Sequence, residues 1–197
     1  DSSTSRGLGD VYKRQLRWFL SREVRGTRGG STAQGFGLVV HAIAADIVRR
    51  GVREPDLAQM ERHLDEVWDR LDHQAPWISA REKADARAAL LRFARWHAAN
   101  PRTPLAAEHP FEVELELEGE RAVLKGSMDR VELDAEGRVH VVDFKTSKNA
   151  PKAAEVAVHP QLGVYQLAVE QGATEDLAPG ARAGGAELSL IHISEPT

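Results

Sequence analysis

GSMDRVELDAEGRVHVVDFKT, residues 126–146, holds two apolar runs separated by Asp134-Ala135-Glu136-Gly137. A loop of Ala135-Glu136-Gly137 with Gly137 in the left-handed conformation is a common three-residue hairpin turn. Such a turn pairs Asp134 with Arg138 and carries the register on to Asp129 opposite Asp143 and Ser127 opposite Lys145. Facing side chains in that arrangement have Cβ atoms roughly 4.5–5.5 Å apart. Two carboxylates so close repel, and the relief is a shared proton or a bound divalent cation. Lys145, two residues beyond Asp143, points to the same face and sets a positive charge beside the pair. Val139 and Val141 precede Asp143 on that face, so the strand runs from apolar core to polar end. The plain alternative is an exposed Asp–Lys pair at a strand end, which stabilises little. Packing alone gives no reason for Asp-x-Lys at the end of a buried strand.

Upstream, Phe111, Val113, Leu115 and Leu117 alternate with Glu112, Glu114, Glu116 and Glu118, the pattern of a half-buried strand with an acidic outer face. Glu114 is a further candidate ligand but reads as surface. Gly119-Glu120 turns this strand into Ala122–Leu133, and Asp134–Gly137 turns that into Arg138–Thr146, giving an antiparallel meander. Before Phe111 the period is helical. Leu38, Val39, Ala42, Ile43 and Ile47 predict a helix after the Gly-rich segment Gly26–Gly37. Pro55-Asp56 opens a second helix carrying Leu57, Met60, Leu64, Val67, Trp68 and Leu71. A third spans Ser79 to Ala99 and is stopped by Asn100-Pro101. Its Arg81, Lys83, Arg87, Arg92 and Arg95 outnumber Glu82 and Asp85, which suits either a solvated face or the rim of a nucleic-acid groove. Downstream, Pro151 and Pro160 bracket a loop, Gln161–Gln171 returns to helix, Gly172–Gly185 is loop, and Ala186-Glu187-Leu188 begins a fourth strand.

The chain has 197 residues, enough for one domain with a sizeable core. A net charge of -4 argues mildly against nonspecific nucleic-acid binding by the chain as a whole, yet leaves room for a local basic groove. With no cysteine, neither disulfides nor a thiolate metal site can form, which fits a cytoplasmic location. No stretch approaches the roughly 18 apolar residues of a membrane span. Both ends break the pattern abruptly. GDVYKRQ near the start and SLIHISEPT at the end resemble translated sequencing-adapter read-through. Residues 1–15 and 189–197 are therefore expected to be non-native tails around a domain of residues 16–188, truncated at both ends.

Gly126-Ser127-Met128-Asp129-Arg130, Val142-Asp143-Phe144-Lys145-Thr146 and Gln161-Leu162-Gly163-Val164-Tyr165 resemble the G-x-x-D-R, D-x-K-T and Q-x-x-x-Y motifs of RecB-family nucleases, in the PD-(D/E)XK superfamily. Gly37-Leu38-Val39-Val40-His41 is similar to the family's helical G-x-x-x-H motif. Leu16-Arg17-Trp18-Phe19-Leu20 is similar to the segment that comes directly after a Cys-Pro at the start of such domains. The resemblance covers nearly all of residues 16–188, and its nearest counterpart is the C-terminal nuclease domain of UvrD-like helicase–nucleases of the RecB, AddB and AdnB kind.

The resemblance implies an α/β fold with a restriction-endonuclease-like core: a small mixed sheet flanked by helices, with a helical part over 16–108 and a catalytic core over 109–188. It implies that Asp129, Asp143 and Lys145 are catalytic. Mg²⁺ or Mn²⁺ would be held by Asp129, Asp143, the backbone carbonyl of Phe144 and His41, the last through neutral imidazole. Lys145 would orient the attacking water and offset charge at the phosphate. Gln161 and Tyr165, four apart on one helix face, would meet the site and the DNA backbone together with Arg130 and Thr146. Each has a plainer reading: His41 as a hydrogen-bonded core histidine, Gln161 and Tyr165 as packing residues, Thr146, Lys148 and Lys152 as a solvated loop. The implied function is a DNA exonuclease acting in double-strand-break repair and recombination. Its partners would be DNA, a helicase domain in the same parent chain and a second helicase–nuclease subunit, without a membrane. The alternatives are a catalytically silent DNA-binding module and a stand-alone exonuclease. The chain contains no G-x-x-x-x-G-K motif and so holds no motor itself. Several relatives bind a 4Fe–4S cluster through cysteines at positions that fall in or beyond the adapter-like strings, so a cluster in a longer parent stays open.

Overall fold

The computed structural model describes residues 32–68, 76–117, 120–145, 156 and 159–190. Among the described residues three helices precede the strands: α1 (Thr32–Arg49), α2 (Leu57–Trp68) and α3 (Pro76–Ala99). They are followed by β1 (Thr103–Leu117), β2 (Glu120–Leu133) and β3 (Val139–Lys145), then α4 (Pro160–Glu170) and β4 (Ala183–Leu190). The strands form one sheet in the order β1-β2-β3-β4. β1 with β2 and β2 with β3 are antiparallel. β4 lies parallel to β3, with α4 in the connection between them. This is the mixed α/β sheet flanked by helices, helical in its N-terminal half, that the sequence implied.

Local chemistry accounts for the element ends. Asp56 caps α2 by accepting from the Ala58 amide at 2.9 Å and the Gln59 amide at 3.3 Å. Asn100 ends α3, its side-chain oxygen accepting from the Arg102 amide at 3.1 Å. The β2–β3 turn has Gly137 at φ 76°, and the Asp134 amide bonds the Arg138 carbonyl at 3.0 Å. Pairing then follows the expected register from Leu133↔Val139 to Arg130↔Val142.

Several element boundaries differ from the sequence reading, three elements most of all. α1 begins at Thr32, inside the Gly-rich segment, so Gly35 and Gly37 are helical. Each glycine costs roughly 0.5–1 kcal/mol relative to alanine in a helix. The buried face of Val40, Ile43, Ala44 and Ile47 offsets it. β1 starts at Thr103 rather than Phe111 and contains Pro104 and Pro110, which an edge strand accommodates. β4 starts at Ala183, where a loop was expected, and continues through Ser189 and Leu190, past the boundary expected at residue 188.

The sheet separates two apolar clusters. Val142 and Phe144 pack with Val40, Ile43, Leu64, Leu90 and Phe93 of the three N-terminal helices. Val139 and Val141 pack with Phe111, Met128, Leu162, Tyr165 and Val169 on the α4 side. Alternate residues of β3 thus serve opposite layers, as the pleat requires. β2 breaks that rule. Met128 lies in the α4-side cluster, whereas Arg130, two residues on, stacks over Trp96 of α3 on the other side. The strand turns over between them, beside Glu108 of β1, whose φ is 50°.

Candidate active site

That turnover places Asp129 where β2 and β3 part. Instead of continuing the ladder, the Asp129 carboxylate accepts a hydrogen bond from the Phe144 amide at 2.8 Å. The expected facings of Asp129 with Asp143 and of Ser127 with Lys145 are therefore not formed by backbone pairing, which runs only as far as Arg130↔Val142. His41, one residue after the buried Val40 on α1, brings Nδ1 to 3.5 Å from the same Asp129 oxygen. The Glu108 carboxylate approaches the same His41 nitrogen at 3.9 Å. One donor atom each from His41, Glu108 and Asp129 lie within 4.8 Å of one another.

Burial pushes the Asp129 carboxyl above its ordinary value, and the Asp143 charge pushes it the same way. His41, the Phe144 amide and Lys145 pull it back down. Asp143 itself is 2% exposed at the end of β3. One of its oxygens is 2.6 Å from the Lys145 ammonium. The other accepts from the Gln161 amide nitrogen at 3.0 Å and lies 3.3 Å from the Tyr165 hydroxyl. Gln161 also accepts from Lys145 at 3.1 Å and donates to the Tyr165 oxygen at 2.9 Å. The single Tyr165 proton is shared with the Ser127 carbonyl at 3.2 Å. Burial, then the Asp143 charge, raises the Tyr165 phenol well above its ordinary range, so it stays protonated.

The donor chemistry fits a hard divalent cation. Ligands on Mg²⁺ sit at roughly 2.1 Å, so adjacent ones are roughly 3 Å and opposed ones roughly 4.2 Å apart. The distances of 3.5 and 3.9 Å to His41 fall between those limits. The set differs from the one expected. His41 and Asp129 come together, Glu108 joins them, and Asp143 is engaged by Lys145, Gln161 and Tyr165 instead. Phe144 contributes its amide to Asp129. Sequence reasoning passed over Glu108 because it lies between the helix expected to stop at Asn100-Pro101 and the strand expected to begin at Phe111. Its only signal was an isolated acid in Ala106-Ala107-Glu108-His109-Pro110. Glu114 itself is exposed on β1.

The residues expected on DNA divide. Gln161 and Tyr165 face the site, but Tyr165 is buried and braces Asp143. Arg130 is a correction: it is fully buried on the helical side of the sheet, so it offers no surface to a phosphate. Thr146 lies outside the described residues, as do Lys148, Lys152 and Leu16–Leu20. On α3, Lys83 and Arg87 both pair with Asp65 at 3.0 Å, so part of that basic face is already balanced.

A family model of the PD-(D/E)XK nuclease superfamily matches residues 12–196. The chain belongs to this superfamily. PD-(D/E)XK nucleases cut nucleic acid and generally use divalent metals, which accords with the donor set at Asp129. No curated protein matches the chain. Among the described residues of this PD-(D/E)XK domain, no helix is long and apolar enough to cross a membrane.

Proposed function

We propose that this PD-(D/E)XK domain is a divalent-metal-dependent DNA exonuclease that hydrolyses phosphodiesters, with Asp129, Asp143 and Lys145 at its catalytic centre. The observation that carries the reading is the donor set of His41, Glu108 and Asp129 beside the Asp143–Lys145 pair. Mg²⁺ or Mn²⁺ would be held by His41, Glu108 and Asp129, with Asp143 adjoining, and would supply an acidified water and charge neutralisation at the phosphate. The chain's own groups do the rest. Lys145 orients the water and offsets the negative charge that builds on the phosphoryl oxygens. Gln161, bonded to both Lys145 and Asp143, fixes the spacing of that cation and anion. Tyr165 holds the Asp143 carboxylate in place by hydrogen bonding.

The five motifs in order support a RecB-like identity within the superfamily. On that reading, residues 16–188 are the nuclease domain of a cytoplasmic helicase–nuclease acting in double-strand-break repair and recombination. The motor would lie elsewhere in the parent chain, and a second helicase–nuclease subunit would be the partner. The test incubates wild type, Asp143→Ala and Lys145→Ala with end-labelled duplex and single-stranded DNA, with and without EDTA. Wild type is expected to cut only with Mg²⁺ or Mn²⁺, and both variants to lose cutting while still binding DNA. Cutting that persists in EDTA, or an Asp143→Ala protein as active as wild type, overturns the mechanism.

A further inference from the structure

Beneath the candidate centre lies a set of buried polar groups that the proposed reaction does not use. Arg130 and Glu132 are both 0% exposed and His97 is 3% exposed. The Arg130 Nε donates to Glu132 at 2.6 Å, and its Nη1 donates to His97 Nδ1 at 2.8 Å. The opposite ring nitrogen, His97 Nε2, is 2.7 Å from the Val52 carbonyl. A guanidinium only donates and a carbonyl only accepts, so His97 is neutral with its proton on Nε2. Burial also holds the His97 ring below its ordinary value. Glu132 is held in turn by the Asn100 side-chain amide at 2.7 Å.

The two ends of this chain of bonds are informative. Val52 belongs to the turn that closes α1, where its amide bonds the Ile47 carbonyl at 3.2 Å. α1 carries His41. Arg130 follows Asp129 directly on β2, at the point where the strand turns over. The route Val52–His97–Arg130 therefore ties the helix bearing one candidate metal donor to the residue next to the other. Apolar side chains of similar volume would fill this space with no desolvation cost, so stability alone does not call for a buried guanidinium. A guanidinium does give fixed directions, because its planar fork reaches Glu132 and His97 at once.

We propose that Arg130 and His97 are positioning residues that set the spacing of His41 and Asp129, and hence the metal affinity of the centre. This rests on the metal-dependent reading above, and the experiment separates the two. Mn²⁺ binding is measured by the EPR signal of the free ion for wild type, His97→Gln, His97→Leu, Arg130→Lys and Asp129→Asn, with a thermal melt of each. Glutamine can accept from Arg130 and donate to Val52, so His97→Gln should keep affinity within about threefold of wild type. His97→Leu keeps the volume but neither bond and should lose on the order of tenfold, the scale of a lost outer-shell partner. Arg130→Lys keeps the charge without the fork and should lose a similar amount. It carries the same contrast if His97→Leu does not fold. A folded His97→Leu or Arg130→Lys protein that binds Mn²⁺ as wild type does overturns the positioning role, as does equal loss in His97→Gln and His97→Leu. Asp129→Asn should lose binding outright. If it binds as wild type does, the metal reading itself falls, whatever the other variants do.

Discussion

Single residues decide the chemistry here, and Glu108 is the one whose contribution depends most on backbone shape. At φ 50° it leaves the alternation of β1 and brings its carboxylate to His41 and Asp129. Glu108→Gln keeps the size and removes the charge. It is expected to weaken Mn²⁺ binding on the order of tenfold or more with little change in melting temperature, read by titration calorimetry. A second residue-level outcome concerns Gly126. A Cβ there would meet the Phe111 ring at 2.8 Å, closer than a real contact tolerates. Phe111 packs edge-on against Tyr165 at 6.3 Å, and Tyr165 steadies Asp143. Gly126→Ala should therefore cost about 1–3 kcal/mol in urea denaturation and also slow cutting, because the displaced ring pushes on Tyr165.

Among the elements, α3 meets the sheet through a cluster of aromatic rings. Phe93, 1% exposed, touches Trp96, His97 and Phe144. Removing it leaves a hole under the strand that ends at Lys145, and Phe93→Ala should cost about 3–5 kcal/mol, measured by the shift in denaturant midpoint. The elements also mark what the sequence made legible. The turn end of the β2–β3 hairpin could be read to the residue from its Asp-Ala-Glu-Gly turn: four pairs stand where expected, but the ladder ends before Asp129 and Asp143. α2 and α3 were legible from apolar spacing and from Asp56 and Asn100 at their ends. The prolines of β1 and the Ala183-Gly184-Gly185 start of β4 carry weak strand signals, since pairing with neighbours, not propensity, makes them strands. Asp129, Asp143, Lys145 and His41 were candidates that motifs could supply. Glu108 was not, and the burial of Arg130 could not be read, because both depend on the turnover between Met128 and Arg130. No local pattern encodes that turnover.

At the scale of the whole molecule, two histidines packed into the helical layer couple folding to pH. Burial lowers both His63 and His97 below the ordinary value of 6.5. His97 faces Arg130, Glu132, Arg53 and the Val52 carbonyl, and the net effect keeps it neutral. Above 6.5 neither state binds these protons, and their contribution to stability is fully present. As pH falls below that value, the unfolded chain takes up protons that the fold refuses, so stability declines until the folded-state values are passed. Thermal melts from neutral into mildly acidic buffer should slope downward with acid, and His97→Gln should flatten part of that slope. A steeper slope in the variant would contradict the assignment. The layout of the candidate centre has a consequence in time as well as in space. Its donors come from α1, β1 and β2, with β3 and α4 completing it. No one hairpin or helix pair holds more than a part. Long-range contacts of this kind close late, because distant segments must meet before any of them is rewarded. On the proposed function, a chain still emerging from the ribosome with its sheet unfinished would thus have no complete centre with which to cut nucleic acid. Refolding followed by tryptophan fluorescence and by Mn²⁺ capture together should find the ion taken up last.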